Sequence, residues 1–238
     1  MTTTATLVVD GNRVQIHYDV VTTPDSIAGL RFRLASSSLD SLTDGASIST
    51  WAGSVGSVDG TQSTSSRRPT KQTVNGHSVA RFATDDVLDI ALNITTKSTT
   101  YVKYGNRTGT NGAFFGGRSS GSYAARSQTP FQRNAEIFHT DNTGGNIIPS
   151  GGATLNAASR LICAYDYDND QYEIFINGVS RGTSTTAQTV DTVSLISIGV
   201  GYAEFLNGDV FEIGSYDSKL TTTQILGLDN YLTTTYGA

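Results

Sequence analysis

Apolar and polar residues alternate in short runs along most of the chain, the period-2 signature of half-buried β-strands. Thr6-Leu7-Val8-Val9 and Val14-Gln15-Ile16-His17-Tyr18 flank Asp10-Gly11, a dipeptide favoured in tight turns, and predict a β-hairpin over residues 5–22. Further strands are predicted over 30–34, 78–82, 99–104, 113–116, 135–139, 160–166, 172–177, 194–200 and 209–216, with Gly, Asn and Asp clusters between them. Around Asp168-Asn169-Asp170 the chain turns, and Tyr172, Ile174 and Ile176 then share one strand face opposite Glu173 and Phe175. Asn177-Gly178 turns it again, giving a β-meander. Many short strands with no intervening long helices predict a sandwich or barrel and argue against a parallel α/β sheet.

One helix is predicted, at the C-terminus. Thr221 and Gln224 have capping-box spacing, Ile225, Leu228, Tyr231 and Leu232 recur at helical intervals, and Gly237 stands where a stop is expected. Such a stripe suits an amphipathic helix lying on the sandwich. Pro24-Asp25-Ser26 breaks the pattern near the other end. Residues 1–23 are therefore read as an N-terminal ribbon or attachment arm, with Leu7, Val9, Val14 and Ile16 as candidate assembly contacts, and 24–238 as the main domain.

Composition agrees with this pattern. Charged residues are 16 % of the 238, against roughly 25 % in typical soluble domains, while Thr, Ser and Gly exceed a third of the chain. β-branched Thr suits strands, and Gly and Ser suit turns. The net charge is −5 and the basic residues are scattered, so there is no electrostatic footprint for nucleic acid. No run approaches the ~18 apolar residues of a membrane span. Met1-Thr2-Thr3-Thr4 lacks the basic and apolar segments of a signal peptide, and the expectation is synthesis in a cytoplasm without export. The single cysteine, Cys163, excludes an intrachain disulfide and lies in an apolar run as a buried small hydrophobe.

Motifs for catalysis are weak. A glycosidase needs two carboxylates about 5–9.5 Å apart. The four glutamates, Glu136, Glu173, Glu204 and Glu212, form no paired array, and only Glu204 with Asp209 and Glu212 with Asp217 are candidate neighbours. Gly117-Arg118-Ser119-Ser120-Gly121 matches G-x-S-x-G but lacks the following helix of a nucleophile elbow. His17, His77 and His139 have no zinc-site spacing and are read as surface or edge residues. No cofactor or metal is expected. Asp166, Asp168 and Asp170 open like a Ca²⁺ loop, but Gln171 replaces the required Gly, and a hairpin turn explains them better; a weak Ca²⁺ site there or at Asp85-Asp86 is the alternative. Sugar binding needs an aromatic platform beside polar forks. Asn106, Arg107, Asn111, Phe115, Arg118 and Tyr123, in one loop-rich segment, are the candidate glycan-binding residues, whereas Trp51 is read as core.

Three blocks resemble a known family. The first holds Pro24-Asp25-Ser26-Ile27-Ala28-Gly29-Leu30, Asp44-Gly45 and Trp51. Arg67-Arg68-Pro69-Thr70, Asn75-Gly76, Arg81-Phe82 and Asp85-Asp86-Val87-Leu88 make the second. The third is Phe205-Leu206-Asn207-Gly208-Asp209-Val210-Phe211-Glu212-Ile213 with Tyr216-Asp217, preceded by the similar Phe175-Ile176-Asn177-Gly178-Val179. Together, over residues 24–236, they resemble the laminin-G-like, concanavalin A-like jelly rolls found in bacteriophage virion proteins and bacterial surface proteins. The resemblance implies an all-β fold: an antiparallel two-sheet jelly-roll sandwich with a short C-terminal helix, here with an N-terminal hairpin arm added. There are departures. The family's Leu-Trp-Leu-Asp-Ala is here Phe32-Arg33-Leu34-Ala35-Ser36, so a Trp and an Asp are missing. After Trp51 the acidic turn is replaced by Ala52-Gly53-Ser54-Val55-Gly56-Ser57, so no ligand or metal role carries over.

What the resemblance implies for function is a non-enzymatic structural protein of a bacteriophage virion, made in the host cytoplasm. It would be displayed as a capsid decoration or attached to the tail, with capsid or tail proteins as partners and self-association as an option. The alternative is a lectin-like adhesin or receptor-binding module that binds cell-surface glycans. A polysaccharide-degrading glycosidase is the third reading.

Overall fold

The computed structural model describes residues 3–10, 13–20, 22–93, 95–109, 112–118, 129–133, 136–140, 159–184, 195–201 and 204–237. Along the chain run β1 (Thr3–Asp10), β2 (Arg13–Val20), β3 (Leu30–Ala35), β4 (Thr50–Trp51), β5 (Gly60–Thr61), β6 (Thr70–Val74), β7 (His77–Phe82), β8 (Leu88–Ile90), β9 (Lys97–Gly105) and β10 (Gly112–Ala113). They are followed by β11 (Phe115–Arg118), β12 (Thr129–Arg133), β13 (Glu136–Thr140), β14 (Arg160–Asp166), β15 (Gln171–Ile176), β16 (Val179–Ser184), β17 (Leu195–Ile198), β18 (Val200–Gly201), β19 (Glu204–Phe205), β20 (Gly208–Tyr216) and the helix α1 (Thr222–Tyr236).

The large antiparallel sheet has the order β16-β15-β14-β9-β20-β7-β6, and β3 joins β20 beyond the end of β7. The second sheet is β11-β17-β8-β5-β4, with smaller groups β10-β12-β13 and β18-β19. The protein is thus a two-sheet sandwich with one C-terminal helix, as expected. The hairpin also forms: β1 pairs β2 from Thr3–Val20 to Asp10–Arg13, as a sheet of its own.

The large sheet is covered on both faces. Leu161, Cys163 and Tyr165 of β14 and Tyr172, Ile174 and Ile176 of β15 join the core between the sheets. Their alternates Ile162, Ala164 and Phe175 pack in a second core with Ile225, Leu228 and Leu232 of α1. Period-2 alternation therefore feeds two apolar layers from one set of strands. Trp51 is fully buried in the inner layer, and its indole N–H donates to Ala35 O at 3.0 Å. The predicted capping box is present, with the Gln224 N–H donating to Thr221 Oγ1 and the Thr221 N–H donating to Gln224 Oε1.

A buried ion pair and a buried amine hold α1 to the sheet. Arg160 Nε lies 2.8 Å from Asp229 Oδ1. Lys103 is 3 % exposed, and its Nζ donates to Gly237 O at 2.9 Å, just past the helix end. Burial, and then repulsion from Arg160, push the Lys103 pKa from 10.5 down to about 8. The unfolded chain thus holds this proton more tightly across that window, and its loss favours the fold. Cys163 and the buried tyrosines oppose the trend, because burial raises their pKa values and their unfolded forms ionise first. The difference isolates the lysine: the stability of wild type relative to Lys103→Met is expected to rise from pH 8 to 10.5 in urea titrations. A flat difference across that window overturns the assignment.

Candidate functional site

The helix-side face of the large sheet carries a buried charge. Along β20, Val210 joins the inner core and Phe211 the outer one. Strict alternation would return Glu212 to the inner face. A β-bulge intervenes: Val210 pairs with Tyr104 and Glu212 with Lys103, leaving Phe211 as the extra residue. Phe211 and Glu212 consequently both face α1, and Glu212, with 0 % exposure, sits beneath the helix instead of between the sheets.

Four side chains satisfy it. Arg33 of β3 donates from Nε to Oε1 at 2.9 Å and from Nη2 to Oε2 at 3.2 Å. Tyr101 of β9 donates to Oε1 at 2.9 Å, and Tyr231 and Tyr236 of α1 donate to Oε2 at 3.1 and 2.6 Å. Arg33 further donates from Nη2 to the Tyr231 hydroxyl at 2.6 Å and from Nη1 to Asp25 Oδ2 at 2.7 Å. Burial works against the Arg33 charge, but the hydrogen bonds and attraction to Glu212 outweigh it and raise its pKa. Burial first, and the Glu212 charge second, lift the Tyr231 phenol to about 12 and Tyr236 higher still. Hydrogen bonds from β3, β9 and α1 meeting on one carboxylate make the network a rigid support.

A cleft of 210 Å³ opens beside this network. Tyr231, Thr235 and Tyr236 of α1 form one wall and Arg33 its floor; Ser36, Ser37 and Asp40, from the turn after β3, form the second wall. The third comes from the β6–β7 turn, Gly76 and His77. Asn75 and Gly76 both have positive φ, 51° and 81°, between the paired Val74 and His77. This is the two-residue hairpin turn that Asn-Gly favours, and it fixes His77 at the cleft rim. The His77 ring meets Tyr236 edge-on, 5.2 Å between centroids. Asp40 is exposed, and its Oδ1 accepts from the Ser78 hydroxyl at 2.6 Å. The cleft thus offers a carboxylate, an imidazole, the exposed hydroxyls of Ser37 and Thr235, and ring edges. That inventory suits a ligand with both hydroxyls and an apolar face.

Of the sequence-predicted glycan residues, Asn106, Arg107 and Phe115 do not line this cleft. Phe115 is 5 % exposed and packs in the inner core, so its ring offers no platform. Arg107 is 6 % exposed. Asn106 donates from Nδ2 to Asp209 Oδ2 at 2.6 Å, in a cluster where Asp209 also takes both Nε and Nη2 of Arg81. Phe115 thus packs in the core from strand β11, Arg107 is buried, and Asn106 is tied to Asp209. The Arg118 backbone pairs with Leu195; Asn111 and Tyr123 lie outside the described residues. For the arm, the register pairs Leu7 with Ile16 and Val9 with Val14.

The acidic turns carry ion pairs of their own. Lys97 Nζ stands 3.1 Å from Asp166 Oδ2 and 3.5 Å from Asp168 Oδ2, so an ammonium already supplies positive charge at the calcium-like turn. Asp166 also caps that turn by accepting from the Asn169 N–H. Asp85 pairs with Arg67, and Asp86 accepts from the Ala83 N–H. Among the described residues no group of three or more His, Cys, Asp or Glu side chains is arranged for a metal ion. Gly117 and Arg118 lie on β11, and the rest of the G-x-S-x-G match lies outside the described residues. Sequence reasoning missed Arg33, Asp40, His77 and Tyr236 as site residues. One signal was visible: Arg33 stands where the family carries Trp, at a departure from the pattern.

No family model and no curated protein matches the chain. Solved structures do. Trypanosoma rangeli sialidase in complex with sialic acid superposes with a TM-score of 0.59 at 13 % identity, over 89 % of this chain and 34 % of that one. A mutant of NanB sialidase from Streptococcus pneumoniae gives 0.46 at 14 % identity, over 62 % and 27 %. The CBM40 of Ruminococcus gnavus IT-sialidase, bound to α2,3-sialyllactose, gives 0.42 at 14 % identity, over 55 % and 80 %. The chain spans about a third of the length of the Trypanosoma rangeli sialidase. At this identity the likeness is one of fold, an antiparallel two-sheet β-sandwich.

Proposed function

We propose that this chain is a carbohydrate-binding, lectin-like module that holds a sugar without cleaving it, and that the cleft between α1 and the β6–β7 turn is its binding site. The cleft carries this reading: Asp40, His77, Ser37 and Thr235 converge on 210 Å³ above a locked Arg33–Glu212–tyrosine network. Pockets that enclose drug-sized ligands measure ~300–1,000 Å³, so this cleft suits a single terminal ring. The fold shared with a sialidase solved with sialic acid supports a saccharide as the ligand class. Binding without hydrolysis is supported by the placement of Glu212 and Asp209: both are 0 % exposed and ion-paired, to Arg33 and Arg81, so neither reaches a ligand in the cleft. The family resemblance further suggests display on a phage particle through residues 1–23; the separate β1–β2 sheet is the feature in its favour.

A glycan array followed by calorimetry tests the reading. Wild type is expected to bind at least one glycan. Asp40→Ala and His77→Ala are each expected to weaken it tenfold or more, since a hydrogen bond to a charged group contributes about 1.5–3 kcal/mol. No binding at high micromolar protein, or equal binding by both variants, overturns it.

A further inference from the structure

We infer that the cleft selects an uncharged terminal sugar and rejects one bearing a carboxylate, an inference that rests on the glycan-binding reading above. Recognition of a carboxylate uses a free guanidinium fork or an unopposed positive charge. Among the described residues Arg33 is the only guanidinium lining the cleft, and its fork is spent: Nε and Nη2 hold the two oxygens of Glu212, Nη2 also holds Tyr231, and Nη1 holds Asp25. Of the groups that line the cleft, Asp40 is the carboxylate, and the Arg33 charge beside it is already opposed by Glu212 and Asp25.

Asp40 sharpens the selection. Its Oδ1 is occupied by Ser78 and the side chain is exposed at the cleft wall, which leaves Oδ2 to accept sugar hydroxyls. A carboxylate in that position attracts hydroxyl donors and repels an anionic ligand. The volume limits the ligand to one ring. The structure thus assigns a neutral hexose or N-acetylhexosamine terminus to the cleft, although the fold is shared with a sialidase.

The experiment is a paired array in which each uncharged glycan is printed beside its α2,3-sialylated form, with hits measured by calorimetry for wild type and Asp40→Asn. The expected result is at least tenfold tighter binding of the neutral member, with the gap narrowed in Asp40→Asn because the isosteric amide removes the repulsion. Equal or tighter binding of the sialylated member, lost in His77→Ala, overturns the inference and leaves the glycan-binding reading standing. Absence of binding to both members of every pair overturns that reading itself. A neutral preference that Asp40→Asn leaves unchanged overturns the role given to Asp40.

Discussion

Glu212→Gln is expected to cost ~3–5 kcal/mol of folding stability, the range for removing one partner of a buried ion pair. The amide keeps the shape of the side chain and loses its charge. Arg33 then faces an NH2 group where it met an oxygen, and either Tyr101 at Oε1 or both Tyr231 and Tyr236 at Oε2 lose their acceptor. For a chain of this length each kcal/mol moves the melting temperature by roughly 2–4 °C, so the expected drop is roughly 6–20 °C. The pair couples two neighbouring strands of one sheet, so Arg33→Met with Glu212→Gln should cost less than the two single changes added together. Thermal melts of the three variants decide it. A loss below ~1 kcal/mol for Glu212→Gln would mean the surrounding hydroxyls hold the site without the charge.

Gly199→Ala is expected to have a comparable effect for a different reason. Gly199 lies between β17 and β18 with φ +88°, and an added Cβ would stand 2.5 Å from Phe82 Cδ1 and 2.7 Å from Asp86 O. Phe82 is 1 % exposed in the inner core, and the carbonyl is backbone, so neither gives way easily. The left-handed conformation costs ~1–2 kcal/mol and overpacking ~1–3 kcal/mol, together ~2–5 kcal/mol. Gly76→Ala is the control. It has φ +81° with no atom within 4 Å of an added Cβ, so it bears the conformational cost alone. Urea titrations should show the larger fall in midpoint for Gly199→Ala with the slope unchanged. Equal losses at the two positions would show that the Phe82 contact relaxes.

The strands 160–166 and 172–177 and the C-terminal helix were legible because their signals are local. Alternation assigns Tyr172, Ile174 and Ile176 to one layer and Phe175 to the other, as observed. Thr221 and Gln224 meet because three residues separate them. The candidate site was not legible in the same way. Phe115 falls in the predicted strand 113–116, but the Gly- and Arg-rich stretch around it reads as loop-rich and accessible, whereas its ring is buried in the core. Glu212 reads as an isolated acid, because its partner Arg33 is 179 positions away.

By itself the amino-acid sequence determined the all-β class, the N-terminal hairpin, the helix with its cap and the two faces of the 172–177 strand, since these follow from contacts between near neighbours and from side-chain period. Only the tertiary structure decided where the charge went. One extra residue at Phe211 turns Glu212 out of the inter-sheet core and under α1, where β3, β9 and the helix bring Arg33, Tyr101, Tyr231 and Tyr236 to meet it. A bulge is a property of two paired strands, and no period within β20 alone contains it.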